Sequence, residues 1–173
     1  TAFDEVEKAE KEGYKFIHPF DGIETLQGSA TLGYEIVNQI NFLNVKIDNI
    51  LISVGGGGLI SGVGSILKQF FPKINVLGVE PNEAKGITDS LKANAPLNKV
   101  EINSIADSLC APLHMPYSFS IAKEVIDRMI NVKDEDMIES MSYVFKNLKL
   151  FLEPACVAGL KALKKNIKND FKG

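Results

Sequence analysis

Four consecutive glycines, Gly55 to Gly58, stand between the apolar run Ile50-Leu51-Ile52-Ser53-Val54 and the stretch Leu59-Ile60-Ser61-Gly62-Val63. The run before them is short and continuous, without polar alternation, as in a parallel strand buried on both faces. After them, Leu59, Ile60, Val63, Ile66 and Leu67 fall at helical spacing. The glycines therefore predict a strand-to-helix turn. At such a turn the first helical N–H groups lack partners and the positive end of the helix dipole points outward. Without Cβ atoms the chain tolerates φ > 0 and packs closely around a bulky anion. The combination suits a phosphate. Each glycine costs about 0.5–1 kcal/mol of backbone entropy relative to alanine. Four in a row point to close backbone approach rather than to a turn with only a packing role.

Two well-known phosphate fingerprints do not match. In the G-x-G-x-x-G pattern the third glycine falls on Ser61 when counted from Gly56, and on Ile60 when counted from Gly55. Gly57 and Gly62 have the spacing of a nucleotide P-loop, but Val63-Gly64 replaces its Lys-Ser. No lysine is placed to reach a β- or γ-phosphate. The loop suits a single terminal phosphate monoester better than a triphosphate.

Composition narrows the class. The 173 residues fit one domain, an α/β unit spanning 1–173, and can bury roughly 70% of their unfolded surface. A hydrophobic content of 45% and a charged content of 24% are those of an ordinary globular protein. A net charge of −3, without a long basic run, argues against nucleic acid as a partner. Lys164, Lys165 and Lys168 read as a solvated helix face. No apolar stretch has the length of a membrane span, and the expectation is a chain without a signal peptide. Cys110 and Cys156 lack metal-ligand spacing, so the expectation is two free thiols in a reducing cytoplasm.

Along the chain, residues 1–12 read as a helix stopped by Gly13, and Tyr14 to His18 as a strand ended by Pro19. Helix 29–43 turns Leu32, Ile36, Ile40 and Leu43 inward. Strand 48–54, helix 58–70, strand 74–79 and a weaker helix 83–92 follow. Residues 93–118 read as loop. Helix 119–129 leads to a strand Met129–Val132 and to Asp134, a candidate N-cap. Helix 135–148 is expected to bury Met137, Ile138, Met141, Val144, Phe145 and Leu148. A last helix starts near Pro154. Strands alternating with helices predict a three-layer α/β domain with a mainly parallel sheet, whose ligands bind beyond the carboxyl ends of the strands. The glycine turn, Glu80-Pro81 and the Asp107 loop are candidates for that rim.

Six stretches, in order and at matching spacing, resemble the threonine/serine dehydratase family, which includes serine racemase. They are Phe16-Ile17-His18-Pro19-Phe20-Asp21, Thr31 to Ile36, Val54 to Leu59, Gly78-Val79-Glu80-Pro81, Ser104-Ile105-Ala106-Asp107 and Glu153-Pro154-Ala155. The resemblance covers essentially the whole chain and implies the tryptophan-synthase-β-like fold with pyridoxal 5'-phosphate as cofactor. It implies that backbone N–H groups of Gly55, Gly56, Gly57, Gly58 and Leu59 wrap the cofactor's phosphate. Glu153 corresponds to a carboxylate near the pyridine ring in serine racemase; read from the residues alone, it is equally an acid at the helix N-terminus before Pro154. Glu80 and Ala84 match positions that give a side-chain and a backbone oxygen to a divalent cation (magnesium or manganese) in serine racemase. The third ligand there is an acid, and Gly86 stands in its place.

Other departures are Gly28-Ser29-Ala30-Thr31 for the family's Gly-Gln-Gly-Thr, and Ser108 for a glycine near the cofactor. Cys156 reads as a buried inert thiol, and His18 as a packed strand residue rather than a base. The family's lysine that joins covalently to the cofactor lies in a Ser-Phe-Lys-x-Arg-Gly context that this chain does not contain, so no catalytic residue is assigned. The expectation is a fragment resembling the larger cofactor domain cut at both ends, inactive alone, from a protein that forms homodimers and acts on a small amino acid. Three activities stay open: dehydration of a β-hydroxy amino acid, racemisation, or phosphate binding without catalysis.

Overall fold

The computed structural model describes residues 2–166. Helix α1 (Ala2–Lys11) is followed by α2 (Ile23–Leu43), β1 (Asn49–Ser53), α3 (Gly58–Phe70), β2 (Asn75–Pro81) and α4 (Gly86–Ala93). Then come α5 (Pro116–Val125), β3 (Arg128–Val132), α6 (Asp134–Leu148) and α7 (Pro154–Asn166). The strands form one parallel sheet in the order β1-β2-β3, with Leu51 opposite Leu77 and Gly78 opposite Met129. Each crossover contains helix, which is what parallel pairing requires. The ladder runs one residue past β1, where Val54 N–H donates to Val79 C=O at 2.8 Å.

Strand side chains alternate between two cores. Ile52, Val54 and Val76 pack with Ile60, Val63 and Leu67 of α3 and with Phe119 and Ala122 of α5. On the other face Val79 and Val132 pack with Met137 and Val144 of α6 and Val157 and Ala158 of α7. These are the three layers expected from the alternation. Helices α2 and α3 cross closely at small residues. A Cβ on Gly62 would lie inside contact distance of Ser29 Oγ, and one on Gly33 would lie 3.0 Å from the Val63 carbonyl.

Several expectations need correction. Tyr14 to His18 is not a strand: it has no ladder partner among the described residues, and Tyr14 and Ile17 are exposed. Helix α2 begins six residues earlier than the periodicity suggested. Gly22, at φ 84°, forms its N-cap, and Leu26 is buried by tertiary packing. Helix α5 starts at Pro116 and stops at Val125, because Ile126 is extended and the Asp127 carboxylate accepts from Val76 N–H at 2.6 Å. Lys133, not Asp134, is the N-cap of α6. Leu32, Leu43, Ile138, Phe145 and Leu148 are exposed rather than inward. Lys164 lies over the Tyr143 ring, 3.5 Å from its centroid. Lys168 lies outside the described residues.

Candidate functional site

The glycine loop begins where β1 ends. Gly57, at φ 98°, is the N-cap of α3, a conformation that suits glycine and strains residues with a Cβ. Three of the loop's carbonyls are held from the protein side. Gly57 C=O accepts from Ser61 N–H at 3.0 Å, Gly58 C=O from Ser29 Oγ at 2.9 Å, and Gly56 C=O from Ser118 Oγ at 3.4 Å. The amides are treated differently. Among the described residues, the N–H groups of Gly55 to Ile60 have no protein acceptor. Gly56, Gly57, Gly58 and Ile60 are buried. A buried amide left unpaired costs about 1–3 kcal/mol. A run of them at a helix N-terminus is the complement of an anion.

The bare Cα atoms of the loop are filled mostly by the chain itself. A Cβ on Gly56 would collide with the Phe20 ring, and one on Gly58 would lie 2.9 Å from the Phe20 carbonyl. A Cβ on Gly55 would lie 3.1 Å from both Leu109 Cα and Ser108 C=O. The glycines thus let Phe20 and the 3₁₀ turn Asp107–Leu109 clamp the loop in place. His18 supports Phe20: the rings meet edge-on at 4.5 Å, and His18 Nδ1 accepts from Phe20 N–H at 3.3 Å.

The loop lines a cavity of about 600 Å³. Ser108, Glu153 and Cys156 line it too, with Leu32, Ile36 and Leu51 on an apolar wall. Every residue anticipated as cofactor-binding (Gly55 to Leu59, Ser108 and Glu153) therefore meets at one place. Ser108 Oγ donates to Glu153, 2.9 Å from Oε1 and 3.0 Å from Oε2. Glu153 immediately precedes α7, the helix-N-terminal place expected of this acid, and it also lines the cavity. Cys156 is exposed rather than buried, with Sγ 3.9 Å from Glu153 Oε1. Its place in the first turn of α7 faces it toward the cavity.

The residues at the anticipated cation position do not fit a divalent metal. Glu80 is 1% exposed, and its carboxylate accepts from Ile87 N–H at 3.1 Å, Thr88 N–H at 2.9 Å and Asn131 Nδ2 at 3.3 Å. It caps the N-terminus of α4. Burial pushes its carboxyl above the usual range, and these hydrogen bonds oppose the shift. A side chain at residue 86 would collide with Nε2 of His114. That imidazole is 4% exposed, and among the described residues neither ring nitrogen has a hydrogen-bond partner. Burial holds it below the usual histidine range, with the Gly56 carbonyl a smaller opposing influence. Among the described residues, no three His, Cys, Asp or Glu side chains converge as a metal group.

Sequence reasoning gave no role to Phe20, Asp21, Ser29, Ser118 or His114. Asp21 Oδ1 accepts from Ser118 N–H at 2.6 Å, capping α5 across 97 residues of chain. Phe20-Asp21 lay within a matching stretch, but no local spacing could have revealed so distant a contact.

An amide cradle and a carboxylate sharing one apolar-walled cavity, at the carboxyl edge of a parallel sheet, define an α/β domain suited to a phosphorylated small molecule. The chain belongs to the family of pyridoxal-phosphate dependent enzymes, which matches residues 2–173. It is 38% identical over 174 residues to phenylserine dehydratase from Ralstonia pickettii, covering 100% of this chain and 52% of that one. The solved T.th. threonine deaminase superposes with a TM-score of 0.88 at 31% identity, over 95% of this chain and 60% of that one. Serine racemase from Dictyostelium discoideum gives a TM-score of 0.85 at 30% identity, over 98% and 53%. The chain thus spans about half the length of these proteins. No helix among the described residues is long and apolar enough to cross a membrane.

Proposed function

We propose that this chain forms the phosphate-binding part of a pyridoxal-phosphate-dependent dehydratase that converts a β-hydroxy amino acid to a 2-keto acid and ammonia. One observation carries the reading: a largely buried run of loop amides, without protein acceptors among the described residues, lines the same cavity as Glu153. The similarity to phenylserine dehydratase and threonine deaminase supports the substrate class.

The residues present fit the cofactor. The amides of Gly55 to Leu59 would hold its phosphate, each charge-assisted bond contributing about 1.5–3 kcal/mol. Ser108 and Glu153 would present the cavity's polar side-chain surface. Leu32, Ile36 and Leu51 would exclude water and so strengthen those polar contacts. Bound pyridoxal phosphate supplies the electron sink that makes a substrate α-proton labile. Because the chain contains no Ser-Phe-Lys stretch, the 173 residues alone bind the phosphate end of the cofactor without turnover.

A second reading, amino-acid racemisation, is favoured by the serine racemase similarity. One experiment separates the two. The whole cofactor-loaded enzyme that contains this chain is offered L-threonine, L-serine and L-phenylserine, and both 2-keto acid release and product chirality are followed. Keto acid from a β-hydroxy substrate supports dehydration, and D-amino acid without keto acid supports racemisation. Failure of the protein to develop a cofactor absorption band would sink both.

A further inference from the structure

We propose that Ser108 is a positioning residue that ties the Glu153 carboxylate to the glycine loop, making the cradle and the carboxylate one preorganised unit. The inference rests on the cofactor reading above. Ser108 touches both ends of the site. Its hydroxyl donates to both oxygens of Glu153, at 2.9 and 3.0 Å. Its carbonyl lies 3.1 Å from where a Gly55 Cβ would stand. A hydroxyl at residue 108 and a bare Cα at residue 55 are therefore used together.

The turn that carries Ser108 is firmly held. Leu109 N–H donates to Ala106 C=O at 2.8 Å and Cys110 N–H to Asp107 C=O at 2.9 Å. Leu109 is buried in the core with Val79, Val132 and Val157. Glu153, by contrast, is exposed, with three side-chain torsions. An unpinned glutamate there would lose rotamer freedom when a ligand arrived, at a cost to affinity. With Ser108 in place that ordering precedes binding. A carboxylate offers about four acceptor positions and Ser108 supplies one proton, so acceptor capacity remains for a donor on the bound molecule. In the open cavity the hydrogen bond competes with water and adds little to folding. Once a ligand displaces that water, the bond strengthens. Its effect thus appears in the loaded state and not in the stability of the empty protein.

The test uses the cofactor-loaded whole enzyme that contains this chain, with Ser108→Ala, Ser108→Gly, Ser108→Thr and Glu153→Ala. Four quantities are measured: dissociation constants for pyridoxal phosphate and for inorganic phosphate, the wavelength of the bound-cofactor absorption band, and the melting temperature of the empty protein. Loss of the hydroxyl is expected to weaken cofactor binding roughly 3–10-fold, the value of one hydrogen bond, and to move the band. Phosphate affinity and empty-protein melting stay at wild type. The Ser108→Thr variant, which keeps a hydroxyl, retains wild-type affinity and band, and Ser108→Ala adds nothing on top of Glu153→Ala, which leaves the hydroxyl without its acceptor. Wild-type cofactor affinity and band in Ser108→Ala overturn the proposal. So does an equal loss of phosphate affinity, which would make Ser108 a prop for the loop. A wild-type protein that shows no cofactor band defeats the underlying reading, an outcome distinct from either.

Discussion

Two neighbouring strands each deliver the chain to a helix N-terminus at the same edge of the sheet, and the two ends are finished in opposite ways. After β1, helix α3 opens at Gly58 and its leading amides have no protein acceptor among the described residues. After β2, helix α4 opens at Gly86 and its leading amides are taken by the Glu80 carboxylate, which the strand itself supplies. The polar residue at the end of β1, Ser53, stands opposite Val79 rather than Glu80, and it donates to the Ala155 carbonyl at 2.9 Å. A helix N-terminus becomes a site for an outside anion only where the fold withholds an inside one. Both helix starts depend on glycine, but Gly58 faces the Phe20 backbone and Gly86 faces the His114 ring.

The largest effect is expected at the capped end. Glu80→Ala leaves two backbone N–H groups of α4 without their acceptor, costing about 3 kcal/mol by denaturant unfolding; a loss below about 1 kcal/mol would show that the carboxylate does not cap α4. Next, Gly57→Asp places an acid at the N-cap of α3 and imitates the capped end. Aspartate tolerates the left-handed backbone better than most residues, so folding should survive while phosphate and cofactor affinity fall about 100-fold, or about 2.7 kcal/mol. Retained binding would mean that the amides are not the cradle.

The third change adds an acid at the bare position. Gly86→Asp should destabilise by about 1–3 kcal/mol through overpacking against the imidazole. The same substitution in a His114→Ala background should be milder, which a double-mutant cycle measures.

A smaller effect follows pH. Burial raises the Glu80 carboxyl, so the folded state holds its proton more tightly than the unfolded state does. That stabilisation is complete below the ordinary glutamate range and is lost as pH rises through the raised folded value. Wild type should therefore lose stability relative to Glu80→Gln as pH rises across that window. His114, lowered by burial, acts in the opposite sense: its contribution is present above the ordinary histidine range and is lost as pH falls through the lowered value. Parallel curves for wild type and Glu80→Gln would remove Glu80 from the account. The mildest change is Cys156→Ser, expected to stay within about 0.5 kcal/mol of wild-type stability. Alkylation of Cys156 should nevertheless slow when cofactor fills the cavity, which mass spectrometry reads directly.

Much of this could be read along the chain. The bounds of α3 match those read from periodicity, because its glycines, apolar stripe and preceding strand all agree. The seven residues named for cofactor contact meet in one cavity. Legibility failed where distant contacts overrode local pattern. Tyr14 to His18 has strand-like composition but no partner strand among the described residues. Gly28-Ser29-Ala30-Thr31 hid the true start of α2, which tertiary burial of Leu26 sustains. Cys156 is small and apolar enough for a core, yet its helical phase turns it to the cavity.

Four side-chain-free residues between an apolar strand and a helical stripe were enough to determine that a turn with unpaired amides exists here, because strand, turn and helix are local matters of period and propensity. Only the packed chain decided which amides stay unpaired. Glu80 reaches Ile87 and Thr88, Asp21 reaches Ser118, and among the described residues nothing reaches the amides of Gly55 to Ile60. Satisfying a backbone donor takes an acceptor within about 3 Å, and which acceptors arrive there is settled by how helices and strands stack, not by their order in the chain.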